Sequence, residues 1–345
     1  YTNEEAFAIK KMAETMGAKI FSMNNRASGI ADVLGFDASP NTIDELLSTN
    51  MILAVGFNTT DNPVIELKMK QAAEAGAKVV LVNPEDYVQH IDFLNKAVYT
   101  KNDLSFLKEV AKAVVDSGRG AGVDGYEAFA ASVKDVTVSD DAKAVADMYL
   151  EAKKAMIVFN QNLITTEAAS LLADIALVSG HIGTPRDGIL QVKAKNNSQG
   201  LVDLGITAGA EELEGVKALV VFGEEADIDT DALEFLAVSD THMTALAAKA
   251  DVVIPGTGFA STDGTYTNTE RRLQLVQAAI EEDVELANWE IAAEIAHVFE
   301  ADYEWENTED ISVAMNDEVP AYKYAVVDEV LGGVLKPADD ARLAV

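Results

Sequence analysis

The sequence predicts an α/β fold in which parallel-type sheets are covered by helices on both faces. Short apolar runs alternate along the chain with longer segments whose apolar residues recur at helical spacing. This alternation indicates buried strands joined by covering helices, because a strand buried on both faces is apolar throughout whereas a covering helix is apolar on one side. The 345 residues, 49% of them hydrophobic, are enough for two domains of ordinary size.

The first half of the chain is predicted to form one such domain, with clear signals at its helix boundaries. Thr2 followed by Glu5 is a capping-box pattern that begins a helix, and Gly17 ends it. Asn62 and Pro63 begin another helix, because proline is favoured in the first turn. The predicted strands span residues 18–23, 51–55 and 78–82, and the predicted helices span residues 2–17, 62–76 and, capped by Asp103, 104–117.

A second series of strands and helices begins near residue 151. Thr165 is predicted to cap a helix that runs to Ser179. Further strands are predicted at residues 156–159, 217–222, 235–238 and 251–254, and further helices at 244–249 and 286–299. We therefore expect two Rossmann-like domains, residues 1–150 and 151–345, with the acidic extension after Glu300 packed as peripheral turns.

Composition excludes several classes of function. The 58 acidic and 26 basic residues give a net charge of −32, which opposes binding to nucleic acid or to an anionic membrane. No apolar segment approaches the roughly 20 residues of a membrane span and no export signal opens the chain, so we expect a cytoplasmic protein without direct membrane insertion. Without cysteine, the chain can form no disulfide, catalytic thiol or thiolate-bound metal cluster.

The sequence patterns of common catalytic sites do not occur. The chain has no GxGxxG after a strand, no GxxxxGK[ST], no HExxH and no GxSxG. Four histidines are scattered along it, and no third ligand accompanies either His90 with Asp92 or His242 with Asp240. We therefore predict neither a metal site nor a catalytic residue.

Glycines and carboxamide side chains follow the predicted strands. Ligands of open α/β sheets bind at the carboxyl ends of the strands. Carboxamides donate and accept hydrogen bonds at fixed angles without adding charge, which suits a heterocycle or nucleotide hydroxyls better than acid–base catalysis. The preference of asparagine for turns is the simpler explanation of any single position. The residues in question after the first strands are Gly56, Asn58, Asn62, Asn83 and Asn160.

Two further loops are candidates for phosphate binding. Loop 181–205 contains four glycines and carries Arg186, Lys193 and Lys195 in an otherwise acidic chain. Backbone N–H groups and cations of this kind bind phosphates, although a structural loop over a sheet edge also uses glycines. Segment 262–272, TDGTYTNTERR, is either a second ligand loop or a turn leading to an exposed strand.

Taken in order, these segments resemble the molybdopterin oxidoreductase family, which includes formate dehydrogenases, periplasmic nitrate reductases and the large peripheral subunit of complex I-type NADH dehydrogenases. The resemblance covers nearly the whole chain, through stretches such as YTNEEAFAIKKMA, LADIALVSGHIGTPRDGILQVKAKNNSQGLVDLG and ADVVIPGTGFASTDGTYTNTERRLQ. It implies two related domains that each hold one pyranopterin guanine dinucleotide around a molybdenum or tungsten ion. One nucleotide would be lined by Gly56, Asn58, Asn62 and Asn83. The other would be lined by Asn160, Lys195, Asn196, Asn197, Gln199, Gly223, Asp240, Thr244, Gly264, Asn268 and Arg271.

The chain departs from the family pattern where the metal would be held. The family's cysteine, selenocysteine or serine ligand would fall within residues 23–29, MNNRASG, where no cysteine stands. Ser28 lies beyond Arg26, whereas the ligand normally precedes the arginine. Asn83 occupies the position at which the family usually binds guanine through an acidic residue. The cysteine-rich domain with a 4Fe–4S cluster and the barrel-like carboxyl-terminal domain are also absent from these residues.

These departures favour a catalytically degenerate subunit, with no cofactor assigned to it, that scaffolds an NADH-linked electron-transfer complex. Flavin and iron–sulfur carriers would then lie in partner regions or chains, the partners being flavoprotein and iron–sulfur subunits of the complex. The alternative is an active molybdenum or tungsten oxidoreductase of the formate dehydrogenase type, which would bind molybdopterin guanine dinucleotide. A third hypothesis is that the protein binds a nucleotide without a metal, and that the nucleotide has only a structural role.

Overall fold

The chain divides into two compact units that do not follow the sequence in order. The computed structural model describes residues 1–23, 25–207, 209–223, 228–281, 283–323, 325–331 and 343; Asn24, in the loop where the resemblance places the family's metal ligand, lies outside them. Unit 1 comprises Tyr1–Arg26, Asn196–Asn268 and the described part of Arg272–Gly333. Unit 2 comprises Ala27–Lys195, Thr269–Arg271 and the described part of Val334–Val345.

The described residues form ten α-helices and ten strands. The helices are α1 (Asn3–Thr15), α2 (Ala31–Leu34), α3 (Pro63–Glu74), α4 (Asp103–Asp116), α5 (Tyr126–Ser132), α6 (Asp140–Glu151), α7 (Thr166–Ser179), α8 (Ser198–Asp203), α9 (Asn288–Val298) and α10 (Thr308–Glu318). The strands are β1 (Met51–Val55), β2 (Lys78–Pro84), β3 (Lys96–Thr100), β4 (Ala155–Asn160), β5 (Gly188–Val192), β6 (Ala218–Phe222), β7 (Phe235–Asp240), β8 (Val252–Pro255), β9 (Gly264–Thr267) and β10 (Leu273–Val276). In this part of the chain, no helix has the length and apolar character needed to cross a membrane.

Unit 2 contains a five-stranded parallel sheet in the order β3-β2-β1-β4-β5. Successive residues of its strands point to opposite faces, and both faces are covered. Leu53 and its neighbours on one face pack against α4, α6 and α7. Ile52 and its neighbours on the other face pack against α3 and the 3₁₀ turn Asp44–Ser48. These contacts confirm the predicted α/β fold with helices on both faces of a parallel sheet.

The five-stranded sheet of unit 2 includes strands from both sides of residue 150, where the domain boundary is predicted. β4 begins just after it and pairs with β1, Leu53 lying opposite Ile157. Every residue of both strands is buried, which requires a central place in the sheet with a neighbour on each side. β5, which lies inside the predicted loop 181–205, then completes the same sheet.

Side chains cover the open edge of β5. The N–H of Ile189 donates to Asn41 Oδ1 at 3.1 Å, and the N–H of Gln191 donates to Ser39 Oγ at 2.8 Å. Beyond the strand, the N–H of Lys193 donates to Thr269 Oγ1 at 2.9 Å. Alternate donors of this edge are thereby satisfied, which removes the exposed ladder that invites pairing with another chain. The contact of Thr269 also explains why a distant segment belongs to unit 2.

Unit 1 contains a three-stranded parallel sheet, β6-β7-β8, and the antiparallel hairpin of β9 and β10. Its helices α1 and α9 pack through small residues, with Ala8 against Ala292 and Ala296. A second cluster joins Phe7 of α1 to Ile311 of α10. The acidic extension predicted as turns thus contains a helix with a buried face.

The structure confirms most of the residues that were predicted to begin helices. The N–H of Glu5 donates to Thr2 Oγ1 at 3.2 Å and the N–H of Thr2 donates to Glu5 Oε2 at 2.8 Å, which is the predicted capping box. α4 is capped by Asn102 rather than by Asp103, one residue earlier than predicted. Residues 18–23 form no strand, and the helix predicted at 244–249 is the short 3₁₀ turn Ala247–Lys249.

Candidate functional site

The carboxyl edge of the five-stranded sheet is organised around Asn83. This fully buried side chain accepts a hydrogen bond from the Phe57 N–H at 2.8 Å. Its amide group donates to the carbonyls of Phe57 and Tyr87 at 2.9 and 3.2 Å. Both ends of the predicted ligand residue are therefore bonded to the main chain, and Asn83 fixes the loop between β1 and α3.

Gly56 is required by close packing in the same loop. Its φ is +60°, and a Cβ there would lie 2.7 Å from Ile164 Cγ2 and 3.1 Å from Leu163 Cβ. Both neighbours belong to the segment between β4 and α7. Only glycine allows the two loops to approach this closely.

Asn58 and Asn62 shape the start of α3. Asn58 Oδ1 accepts from the Thr60 N–H at 2.9 Å and its amide donates to Asp61 Oδ2 at 2.6 Å. Asn62 is the N-cap residue, yet its side chain makes no capping bond within the described structure and donates instead to the Asn58 carbonyl at 3.3 Å. The first turn of α3 therefore receives no capping bond from Asn62, and helix N-termini of this kind can bind an anion through their N–H groups and the positive end of the helix dipole.

Asn160 and Gln191 lie at the carboxyl ends of β4 and β5. Asn160 Oδ1 accepts from the Asn162 N–H at 2.9 Å, and the Gln191 amide donates to Gln161 Oε1 at 2.6 Å. Gln191 Oε1 is buried without a hydrogen-bond partner among the described residues. The resemblance assigned Asn160 to the second nucleotide, whereas in the structure Asn160 ends β4 of the same sheet that contains Asn83 in β2.

The loop after β5 separates into exposed and buried residues. Lys195 and Asn196 are exposed. Asn197 is buried, accepts from the Thr267 N–H at 2.8 Å and donates to the Tyr1 carbonyl at 3.0 Å. Gln199 is buried and donates to Asp203 Oδ1 at 2.8 Å. Asn197 therefore has a structural role within unit 1, whereas Lys195 and Asn196 have exposed side chains.

A second candidate edge lies at the carboxyl ends of β6 and β7. Gly223 has φ +56°, and a Cβ there would lie 2.7 Å from Tyr1 Cε2. Asp240 Oδ1 accepts from the Thr241 N–H at 2.7 Å, and Thr244 Oγ1 accepts from the Ala247 N–H at 3.1 Å. Burial and then the carboxylates of Glu5 and Asp240 raise the pKa of the Tyr1 hydroxyl, which therefore stays protonated as a donor.

Two buried hydroxyls at this edge were missed by sequence reasoning. Ser239 Oγ and Thr257 Oγ1 have no hydrogen-bond partner among the described residues. Gly256 lies beside them, since a Cβ there would be 3.1 Å from Ser239 Oγ and 2.9 Å from Asn288 Oδ1. Unsatisfied buried hydroxyls next to a glycine are expected where a polar ligand or an ordered water binds.

Gly264 belongs to a buried polar network rather than to an open loop. A Cβ at Gly264 would lie 2.5 Å from Glu4 Oε2, which accepts from the Thr265 N–H at 2.7 Å. Burial raises the pKa of the Glu4 carboxyl, against hydrogen bonds from Ser312 and Thr265 that lower it. Gly264 therefore allows α1 to approach β9.

Asn268 and Arg271 also have structural contacts. Asn268 Oδ1 accepts from the Arg272 N–H at 2.9 Å and closes a turn. Arg271 is buried in unit 2, where its Nε donates to the Ser39 carbonyl at 2.6 Å. The prediction grouped both with the second nucleotide, but Arg271 anchors the loop beside β5.

The family of the chain follows from a match over most of its length. The family profile described as Molybdopterin oxidoreductase matches residues 1–298. The chain belongs to the molybdopterin oxidoreductase family. Among curated members, it is 24% identical to the F420-dependent formate dehydrogenase subunit alpha of Methanocaldococcus jannaschii, over 93% of this chain and 59% of that protein. It is 23% identical to formate dehydrogenase H of Escherichia coli, over 91% of this chain and 54% of that protein. This family member thus spans less than two thirds of the length of either relative.

Solved structures share the fold of this family member. The formyltransferase/hydrolase complex from Methylorubrum extorquens aligns with a TM-score of 0.61 and 15% identity, over 87% of this chain and 89% of that chain. Acetylene hydratase from Pelobacter acetylenicus aligns with a TM-score of 0.60 and 12% identity, over 88% of this chain and 53% of that chain. At such identities the likeness concerns the fold alone.

The family implies a molybdopterin cofactor, and the described residues fit its organic part better than its metal. The partnerless buried atoms of Gln191, Ser239 and Thr257 lie at strand ends, where nucleotides bind α/β sheets. No group of three or more histidine, aspartate or glutamate residues in the described ranges is arranged to hold a metal. Ser28, in the loop where the resemblance places the family's metal ligand, donates its hydroxyl hydrogen bond to Asp37 at 2.7 Å. The partnerless atoms at the strand ends are therefore of the types that can pair with the polar groups of a pterin dinucleotide.

Proposed function

We propose that the chain is the pterin-dinucleotide-binding part of a formate dehydrogenase-type oxidoreductase subunit. The single observation that carries this proposal is the set of buried, partnerless polar atoms at the carboxyl ends of both parallel sheets. Burying an amide or hydroxyl without a hydrogen bond is unfavourable by about 1–3 kcal/mol, so a ligand that satisfies these atoms binds favourably. The names of the curated relatives support the formate dehydrogenase type.

In unit 2, the start of α3 would bind a phosphate through its first-turn N–H groups, and Gln191 Oε1 would accept an N–H of the heterocycle. In unit 1, the hydroxyls of Ser239 and Thr257 would bind polar groups of a second nucleotide, and the Tyr1 hydroxyl would donate. A bound cofactor would supply the redox chemistry, which no side chain of this cysteine-free chain offers.

Electron transfer would depend on partner subunits. The described chain has no cysteine and so cannot bind iron–sulfur clusters through thiolates, and the proposal therefore places flavin and iron–sulfur carriers in partner regions or chains. We place this complex in the cytoplasm, which fractionation of the native host would test.

The test is to purify the tagged chain, with its partners, from its native host supplied with molybdate and tungstate. Released pterins and nucleotides are identified by liquid chromatography and mass spectrometry, and formate-dependent dye reduction is measured on the same sample. We expect a guanine-containing pterin in at least stoichiometric amount. A fully folded complex that releases no pterin or guanine nucleotide would contradict the proposal.

The catalytically degenerate scaffold is the second candidate, and the bonding of the Ser28 hydroxyl to Asp37 favours it. It predicts NADH-dependent electron transfer by a complex that contains neither molybdenum nor tungsten. Stoichiometric molybdenum or tungsten together with formate oxidation by the purified complex would reject it.

A further inference from the structure

A buried ion pair controls the loop in which the sequence resemblance places the metal ligand. Lys193 Nζ lies 3.2 Å from Asp37 Oδ1, and the two side chains are 1% and 8% exposed. The same carboxylate accepts the Ser28 N–H at 2.6 Å and the Ser28 hydroxyl at 2.7 Å. Ser28 itself is buried, and its Oγ also accepts from the Ile30 N–H at 3.3 Å. Asp37 thus joins Lys193 to both donors of Ser28.

The burial of the Asp37–Lys193 ion pair makes it costly to break. Removing either charged partner of a buried pair leaves a charge in a low-dielectric interior, which is strongly destabilising. Hydrogen bonds to an ionised acceptor are also shorter and stronger than neutral ones, and both bonds from Ser28 have this character. Ser28 therefore cannot exchange Asp37 for another partner without a large loss of stability.

The rest of the loop is fixed to its surroundings as well. Beyond Asp37, Ser39 bonds to β5 through the Gln191 N–H, and its carbonyl accepts from Arg271 at 2.6 Å. At the other end, a Cβ on Gly29 would lie 2.4 Å from the carbonyl oxygen of Thr166. The segment from Ser28 to Ser39 consequently has little freedom to swing Ser28 outward.

Metal ligation by Ser28 would require a change of protonation that this arrangement opposes. A serine binds a metal most strongly as an alkoxide, which must first lose the proton that now lies toward Asp37. An alkoxide 2.7 Å from a carboxylate would be repelled by it, with little water between the two to screen the charges.

We propose that Ser28, Asp37 and Lys193 form an internal lock, the Ser28 lock, that fixes this loop and prevents Ser28 from acting as a metal ligand. Asp37 and Lys193 are positioning residues in this scheme. The inference deepens the proposed function, because it assigns cofactor retention to contacts with the organic part and none to Ser28.

The first test compares the metal-to-pterin ratio of the native complex with that of its Ser28→Ala variant, by elemental and pterin analysis. We expect ratios within twofold of each other, and equal absence of metal from both samples agrees with the lock. A loss of metal of tenfold or more in Ser28→Ala, with pterin retained, would overturn it. If neither sample contains pterin, the proposed function fails, and the second test then decides the lock.

The second test measures hydrogen exchange at the Ser28 amide, which donates to Asp37. We expect Asp37→Ala to speed this exchange at least tenfold. Adding Lys193→Met to that variant should recover most of the lost thermal stability, because the double variant no longer buries a lysine that lacks Asp37. Asp37→Asn, which keeps one acceptor oxygen, replaces Asp37→Ala if that variant does not fold. The control is Asp147→Ala, whose partner Lys143 lies 2.7 Å away on an exposed surface. Equal exchange in wild type and Asp37 variants would refute the lock.

Discussion

Replacing Asp187 with asparagine is expected to destabilise unit 2 strongly. Asp187 Oδ1 accepts the Ala155 N–H at 3.0 Å and lies 2.7 Å from His181 Nδ1, while Oδ2 lies 3.2 Å from Lys154 Nζ. Asparagine has one acceptor oxygen, so at least one of these donors loses its partner. An unsatisfied buried donor costs about 1–3 kcal/mol. Together with the lost ion pair, we expect the free energy of unfolding to fall by about 2–4 kcal/mol.

The acid sensitivity of the protein gives an independent check. Burial works to raise the pKa of Asp187, but hydrogen bonds from His181 and Ala155 outweigh it, and the folded-state pKa lies below the ordinary 3.8. The stabilising contribution is therefore complete above the unfolded-state pKa and is lost as the pH falls through the folded-state pKa. Below about pH 4, the free energy of unfolding of wild type should fall more steeply than that of Asp187→Asn.

Urea denaturation followed by circular dichroism, repeated from neutral to acidic pH, measures both effects. The matched control is Asp147→Asn, which removes an ion pair from an exposed helix surface and should change stability by less than about 0.5 kcal/mol. If Asp187→Asn unfolds like this control, or if its pH dependence equals that of wild type, the assignment of Asp187 as a buried acceptor is wrong.

Three further predictions concern other parts of the chain. Gly29→Ala should lower the free energy of unfolding by about 2–4 kcal/mol in urea titrations, because φ is +98° and the new Cβ would lie 2.4 Å from the Thr166 carbonyl. Ser239→Ala should leave stability within about 1 kcal/mol of wild type, because it removes a partnerless hydroxyl, yet reduce the guanine nucleotide that copurifies. The thermal midpoint should rise as sodium chloride increases from about 10 to 100 mM, since a net charge of −32 repels itself and the Debye length falls from about 30 to 10 Å.

Elements fixed by local interactions were predictable from the sequence. The capping box of Thr2 and Glu5, the cap at Thr165 and the buried strand β1 all depend on residues close together in the chain. The fold class follows from the same signals, because buried apolar strands between amphipathic helices admit few other arrangements. These are the predictions that the structure confirms.

Long-range pairing was not predictable in the same way. The pairing of β1 with β4 crosses the expected boundary at residue 150, and Thr269 joins unit 2 from far along the chain. No periodicity in a single sequence encodes which strand lies beside which. Residues 18–23 have a strand-like composition, but none of those described is buried and they do not pair with a sheet.

The residues at the strand ends divide into two kinds, and this division explains why residue type alone did not identify their roles. Asn83 and Asn197 have both amide atoms bonded to main chain, and Gly264 makes room for Glu4, so their substitution would disturb the fold first. Ser239 and Thr257 have buried oxygens that the described protein leaves without partners. Because folding gains nothing from burying such an oxygen, we expect it to pair with a group from outside the protein, as in the proposed cofactor site. Binding should therefore be sought first at side chains whose hydrogen bonds the protein does not complete.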